Sequence, residues 1–120
     1  MSISVQEHRR RRHDRIRKKM FGTTEKPRLF VYRSEKHLYV QAIDDYAGKT
    51  LFAFSTLDEK FKKASPRGNT VEAAKKLGEI LGPQLIKKGI QKIVFDRGGD
   101  KYHGRVKALA ESLRQSGVVF

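Results

Sequence analysis

The sequence predicts a mixed α/β domain behind a flexible basic arm. Three observations predict it. From Arg28 to Thr56, apolar residues alternate with others at the two-residue period of half-buried strands. From Val71 to Gly117, two apolar stripes at helical spacing flank one short apolar run, Ile90–Phe95. Ahead of both, residues 1–28 hold ten Lys/Arg against three Asp/Glu, which is half of the chain's net charge of +14. The division expected is an arm over residues 1–26 and a globular domain over residues 27–120.

The arm centres on Arg9-Arg10-Arg11-Arg12-His13-Asp14-Arg15-Ile16-Arg17-Lys18-Lys19. Such a block repels itself and buries almost nothing, so free in solution it should be disordered or only partly helical. Pro27 opens the domain. Arg28–Ser34 reads as a first strand and His37–Asp44 as a second, joined by the hairpin link Ser34-Glu35-Lys36. On the second strand Leu38, Val40 and Ala42 fall on one face and His37, Tyr39 and Gln41 on the other. On the first, Leu29 and Val31 alternate with Phe30 and Tyr32; the Phe30–Tyr32 side is expected to continue that of Tyr39, and a one-residue slip in register would reverse this. Asp45-Tyr46-Ala47-Gly48-Lys49 is a turn with Gly48 able to take positive φ, and Thr50–Thr56 is a third strand.

A polar loop follows, through Ser65-Pro66-Arg67-Gly68. Asn69 or Thr70 can cap a helix starting near Val71, whose stripe is Val71, Ala74, Leu77, Gly78, Leu81 and Leu85. Gly82-Pro83 should kink it near its end, and Lys87-Lys88-Gly89 ends it. Ile90–Phe95 reads as a fourth, central strand. Val106, Leu109, Ala110, Leu113 and Gly117 form the second helical stripe, and Val118-Val119-Phe120 suggests a short fifth strand. A hairpin meander followed by right-handed crossovers gives the order 3-2-1-4-(5), with both helices on one sheet face and the opposite face open.

Composition limits the function. No apolar run approaches the roughly 20 residues that a membrane span needs. There is no cysteine, which excludes disulfides and thiolate metal sites. The charge points to a polyanionic partner. The segment Asp96-Arg97-Gly98-Gly99-Asp100-Lys101-Tyr102-His103-Gly104-Arg105 mixes three glycines with cations and an aromatic ring. Glycines admit close backbone approach, cations neutralise phosphate, and rings stack on bases. The glycine spacing from Gly99 to Gly104 matches a nucleotide-binding loop, but Arg105 and Val106 stand where that chemistry needs Lys and Ser/Thr. The first strand offers no carboxylate for metal-dependent phosphoryl transfer, and turn or cap roles suffice for Asp44, Asp45, Asp96 and Asp100. His8, His13, His37 and His103 lack metal-ligand spacing.

Several motifs resemble one ribosomal family. They are Pro27-Arg28-Leu29-Phe30-Val31-Tyr32-Arg33-Ser34 with its partner strand, Ser55-Thr56, Gly68-Asn69 with the Ala73-Ala74 helix, Phe95-Asp96-Arg97-Gly98-Gly99, and Tyr102-His103-Gly104-Arg105-Val106. Their order over the whole chain is similar to bacterial large-subunit ribosomal protein eighteen. The resemblance implies a ribonuclease-H-like α/β sheet with two helices. It also implies a structural role in the large subunit: binding 5S rRNA and helping attach it to the large-subunit rRNA in the central protuberance. The partners implied are 5S rRNA, large-subunit rRNA and other 5S-associated ribosomal proteins, in the cytoplasm. No enzyme activity, cofactor, metal, small-molecule substrate or membrane is implied. The alternative is a general RNA-binding protein or RNA chaperone without 5S specificity.

RNA contacts carried over from the family fall on three segments. The arm supplies Arg9, Arg10, Arg11, Arg12, Arg15, Arg17, Lys18 and Lys19. The hairpin supplies Arg28, Arg33, Ser34, Lys36, His37, Tyr39 and Gln41. The glycine-rich segment supplies Arg97, Gly98, Gly99, Lys101, Tyr102, His103, Gly104 and Arg105. Asp100 departs from the family, where an aromatic residue is common, and is assigned no RNA contact.

Overall fold

The computed structural model describes residues 4–17, 20–64, 69–98 and 101–120. In chain order the elements are α1 (Val5–Arg17), β1 (Arg28–Arg33), β2 (Leu38–Asp44), β3 (Lys49–Ser55), α2 (Glu59–Ala64), α3 (Val71–Lys87), β4 (Val94–Asp96) and α4 (Gly104–Gln115). The sheet order is β3-β2-β1-β4, with β4 parallel to β1 and the other pairs antiparallel.

The hairpin register puts the apolar residues of both strands on one side. Phe30 faces Gln41 and Tyr32 faces Tyr39 on one side, while Leu29 faces Ala42 and Val31 faces Val40 on the other. The second set, with Leu38 and Phe54, is buried against Ala74, Leu77, Leu81, Leu85, Leu109 and Leu113 of α3 and α4. Both long helices therefore cover one face. The other face carries Phe30, Tyr32 and Tyr39.

α3 and α4 approach closely because small residues line the seam between them. A Cβ at Gly78 or Gly82 would overlap Ser112 or Ser116. Ser112 Oγ also donates to the Lys75 carbonyl across the seam at 2.7 Å. The start of α3 is capped by Thr70, whose Oγ1 accepts from the Ala73 N–H at 3.0 Å. The helix runs on through Pro83 to Lys87.

Three expectations are corrected. The fourth strand is shorter than Ile90–Phe95, and Val118–Phe120 forms an isolated parallel bridge, Lys92 to Val119, rather than a fifth strand. The cause is the same at both places. Gly89 and Gly117 take positive φ, and the next residues donate backward: Ile90 N–H to the Leu85 carbonyl, and Val118 N–H to the Leu113 carbonyl. These are Schellman closures, and they consume apolar residues that would otherwise extend a strand. Third, the polar loop after β3 contains α2, whose Phe61 is buried in the core. One large apolar residue in so short a helix leaves no period to read.

Candidate nucleic-acid interface

The arm, expected to be disordered or only partly helical when free, carries a helix. Residues 5–17 form a helix whose start has a capping-box spacing, Ser4-x-x-Glu7, with the Glu7 N–H donating to Ser4 Oγ at 3.1 Å. That spacing stands in the sequence, but the charge run beside it argues the other way. Glu7 also meets Arg10 at 2.7 Å, one turn along, which offsets a little of the self-repulsion.

His13 lands on the open sheet face. Its ring stacks on Phe30 with centroids 5.2 Å apart, and its Nε2 lies 2.9 Å from Asp96 Oδ2. Asp96 is fully buried at the end of β4 and also accepts from Arg28 Nη1 at 2.6 Å and from the Gly98 N–H at 3.0 Å. Arg28 reaches the other way to Asp45, with hydrogen bonds of 2.9 and 3.1 Å. Asp45 in turn accepts from the Gly22 N–H at 2.7 Å and meets Arg17 at 3.4 Å. One continuous network thus joins α1, β1, the turn after β2 and the end of β4.

The electrostatics follow from this network. Burial alone would lower the Arg28 pKa; hydrogen bonds and charge from Asp45 and Asp96 outweigh it and raise the value. The Arg28 hydrogen bond, opposed by burial and helped by the Gly22 N–H and Arg17, holds Asp45 below its ordinary range. Asp44 is lowered chiefly by the Thr24 hydroxyl, with the Ala47 and Tyr46 N–H groups of the turn. Asp44 therefore keeps the turn role expected of it. Asp45 and Asp96 have a larger one, as the counter-charges of Arg28.

This corrects the assignment of Arg28 as an RNA contact. The residue is 7% exposed and its guanidinium is committed to two carboxylates. It is a structural post. Arg17 is similarly engaged, donating to the Met20 carbonyl at 2.7 Å as well as meeting Asp45.

The other candidates converge. Arg9 from the arm, Arg33 and Ser34 from the hairpin, and Arg105 from the glycine-rich segment border one notch of about 230 Å³. Arg105 Nη2 also donates to the Ser34 carbonyl at 3.2 Å, tying α4 to the hairpin. Next to it, α1 and β1 border a cleft of about 250 Å³, with Arg9, Arg10, His13, Phe30, Tyr32 and Arg33 on its walls. The rings of Phe30, Tyr32 and Tyr39 continue from His13 in a stacked series, at 6.3 and 4.9 Å.

Arg10, Arg11, Arg12, Arg15, Lys36, Gln41, Lys101, Tyr102 and His103 are exposed, and Arg97 is half-buried. His37 is partly buried, with Nδ1 2.9 Å from Thr56 Oγ1, and Tyr102 Oη accepts from Arg114 at 3.3 Å. Gly98 and Gly104 both take positive φ. At Gly98 a Cβ would also press on the Phe30 ring at 3.2 Å, so the glycine brings the backbone against the aromatic series. Lys18, Lys19, Gly99 and Asp100 lie outside the described residues.

The family described as "Ribosomal L18 of archaea, bacteria, mitoch. and chloroplast" matches residues 3–120. The chain belongs to the ribosomal L18 family. It is therefore a ribosomal protein of the large-subunit type, a structural component and not an enzyme. It is similar to the large ribosomal subunit protein uL18 of Thermotoga petrophila, at 55% identity over 98% of this chain and 96% of the relative. It is also similar to uL18 of Aquifex aeolicus, at 53% identity over 95% and 94%. For uL18 of Heliobacterium modesticaldum the values are 51% over 93% and 92%. Within this L18-family chain, His13 and Asp96 are the neighbours that sequence reasoning missed; they stand 83 positions apart, and no local signal marks their meeting.

Proposed function

We propose that this ribosomal protein binds 5S rRNA and helps attach it to the large-subunit rRNA in the central protuberance, beside other 5S-associated ribosomal proteins. The observation that carries the RNA-binding part is the notch at which Arg9, Arg33 and Arg105 meet. Three segments far apart in sequence deliver cations to one place, next to an aromatic series on an open sheet face. Arginines there neutralise phosphates and release counterions, while ring faces and Gln41 address unpaired bases. Preference for 5S rRNA rests on the family resemblance of the three segments.

The test is a titration of the chain with 5S rRNA and with a size-matched unrelated RNA in the same salt. Tighter binding to 5S rRNA is expected. Equal affinity for the two would leave a general RNA-binding protein and overturn the 5S assignment.

A further inference from the structure

We propose that α1 and β1 enclose a receptor for one unpaired nucleotide, its base against Tyr32 and its phosphate among Arg9, Arg33 and Arg105. This rests on the RNA-binding reading above and narrows it to a single feature of the RNA. The two cavities between the arm and the sheet share Arg9 and Arg33, so they are adjoining halves of one site. One half is aromatic and the other cationic, which is the division between a base and its phosphate.

The aromatic half is shaped for a base face. Tyr32 is 49% exposed, its ring parallel to Phe30 within 4° and stacked on Tyr39 within 23°. Tyr32 lies between these two rings, and the half of its surface that they leave uncovered is available to a base. A duplex cannot supply that face, because its bases are stacked on one another and present only edges in the grooves. The cleft, about 250 Å³, lies just under the roughly 300–1,000 Å³ range of sites for drug-sized ligands, which is room enough for a base.

Among the described residues, three arginines border the cationic half with one carboxylate, Glu35, which is exposed on the hairpin tip. The lid is α1. His13 holds it over β1 through Phe30 and Asp96, so Arg9 and Arg10 stand one turn away, above the cleft. A disordered arm could contribute charge, but it could not form the wall of a base-sized recess.

The experiment is short-wave ultraviolet crosslinking of the full chain to 5S rRNA, followed by mass spectrometry of the adducts and titrations of variants. The expected adduct joins Tyr32, on the fragment Leu29–Arg33, to one nucleotide that is unpaired in the RNA. Tyr32→Phe should keep adduct and affinity. Tyr32→Ala should lose the adduct and weaken binding roughly tenfold, the usual scale for one stacked base. Tyr32→Thr, which suits a strand, gives the same readout if the alanine variant unfolds. Wild-type affinity in a folded Tyr32→Ala or Tyr32→Thr variant, or an adduct confined to base-paired nucleotides, overturns the proposal. The same crosslinking on the unrelated RNA separates the two readings. Preference for 5S rRNA without a Tyr32 adduct overturns the cleft alone. Equal affinity with a Tyr32 adduct on unpaired nucleotides of both RNAs overturns 5S specificity and sustains the cleft.

Discussion

His13 Nε2 lies 2.9 Å from Asp96 Oδ2, and through this pairing the arm helix is fastened to the sheet. Asp96 is simultaneously bound to Arg28, so arm and core share one carboxylate. The basic arm is thus positioned by the same group that completes the buried ion network.

Replacing His13 with Ala should release α1 while leaving the domain folded. A hydrogen bond to a charged group is worth about 1.5–3 kcal/mol, and His13 is partly exposed, so about 1 kcal/mol is expected here. Affinity for 5S rRNA should fall roughly fivefold, and amide exchange over residues 5–17 should accelerate. Unchanged exchange in those residues would show that the His13–Asp96 pair does not hold the helix.

Asp96→Ala should destabilise the whole domain. It leaves Arg28 buried with one carboxylate in place of two, so the cost should approach but not reach the roughly 3–5 kcal/mol of a fully unpaired buried charge. Asp96→Asn should cost less, because its amide oxygen can still accept. Urea unfolding of the two variants checks the ranking.

Acid should weaken the fold from the Asp45 side. Its folded pKa is depressed, chiefly by the hydrogen bond from Arg28, so its contribution is present above the unfolded value of about 3.9 and is lost as pH falls through the lower folded value. Asp44, lowered by Thr24, acts in the same direction. Stability attributable to these groups should be flat above about pH 5 and fall below about pH 4. Asp45→Asn should flatten that acid limb and lower stability at neutral pH; unfolding midpoints measured against pH decide it.

Gly78→Ala should cost about 1–3 kcal/mol by overpacking α3 against α4. Its new methyl would meet Ser112. Adding Ser112→Gly should recover part of that stability, and a double-mutant cycle in thermal unfolding measures the coupling. Strict additivity would mean that the helices simply move apart.

Deleting residues 1–24 removes eight Lys/Arg. Binding to 5S rRNA should weaken, and the salt slope should flatten by about 0.7–0.9 for each phosphate that the truncated chain no longer neutralises. Preference over unrelated RNA should largely survive, since Arg33, Arg105 and the sheet remain. Retained affinity without that preference would reverse this division of labour.

The parts of the fold that depend on neighbours in sequence were legible. Alternation through Arg28–Asp44 marks both strands, and the burial of Leu29, Val31 and Val40 under α3 and α4 then selects between the registers that it leaves open. The stripes of α3 and α4, the Thr70 cap and the positive φ of Gly48 are equally local. The ends of β4 and the region of Val118 were misread because an apolar residue closing a helix looks like one starting a strand. Among the candidate site residues, the arginines of the arm stand out by charge density, whereas Arg33 is named only through the family resemblance.

Sequence alone determined that this chain is a basic α/β protein of the L18 family with one open sheet face. Periodicity, charge and the order of short motifs suffice for that, since each is a property of adjacent residues. Only tertiary structure decided which cations face outward. Arg28 and Arg33 stand at the two ends of one strand with the same charge. Arg28 is buried because the fold brings Asp45 and Asp96 from 17 and 68 positions away, and that pairing offsets the cost of desolvating it. Arg33 stays exposed and lines the notch with Arg9 and Arg105. Long-range pairing, which no local pattern encodes, separates the buried structural arginine from the exposed one.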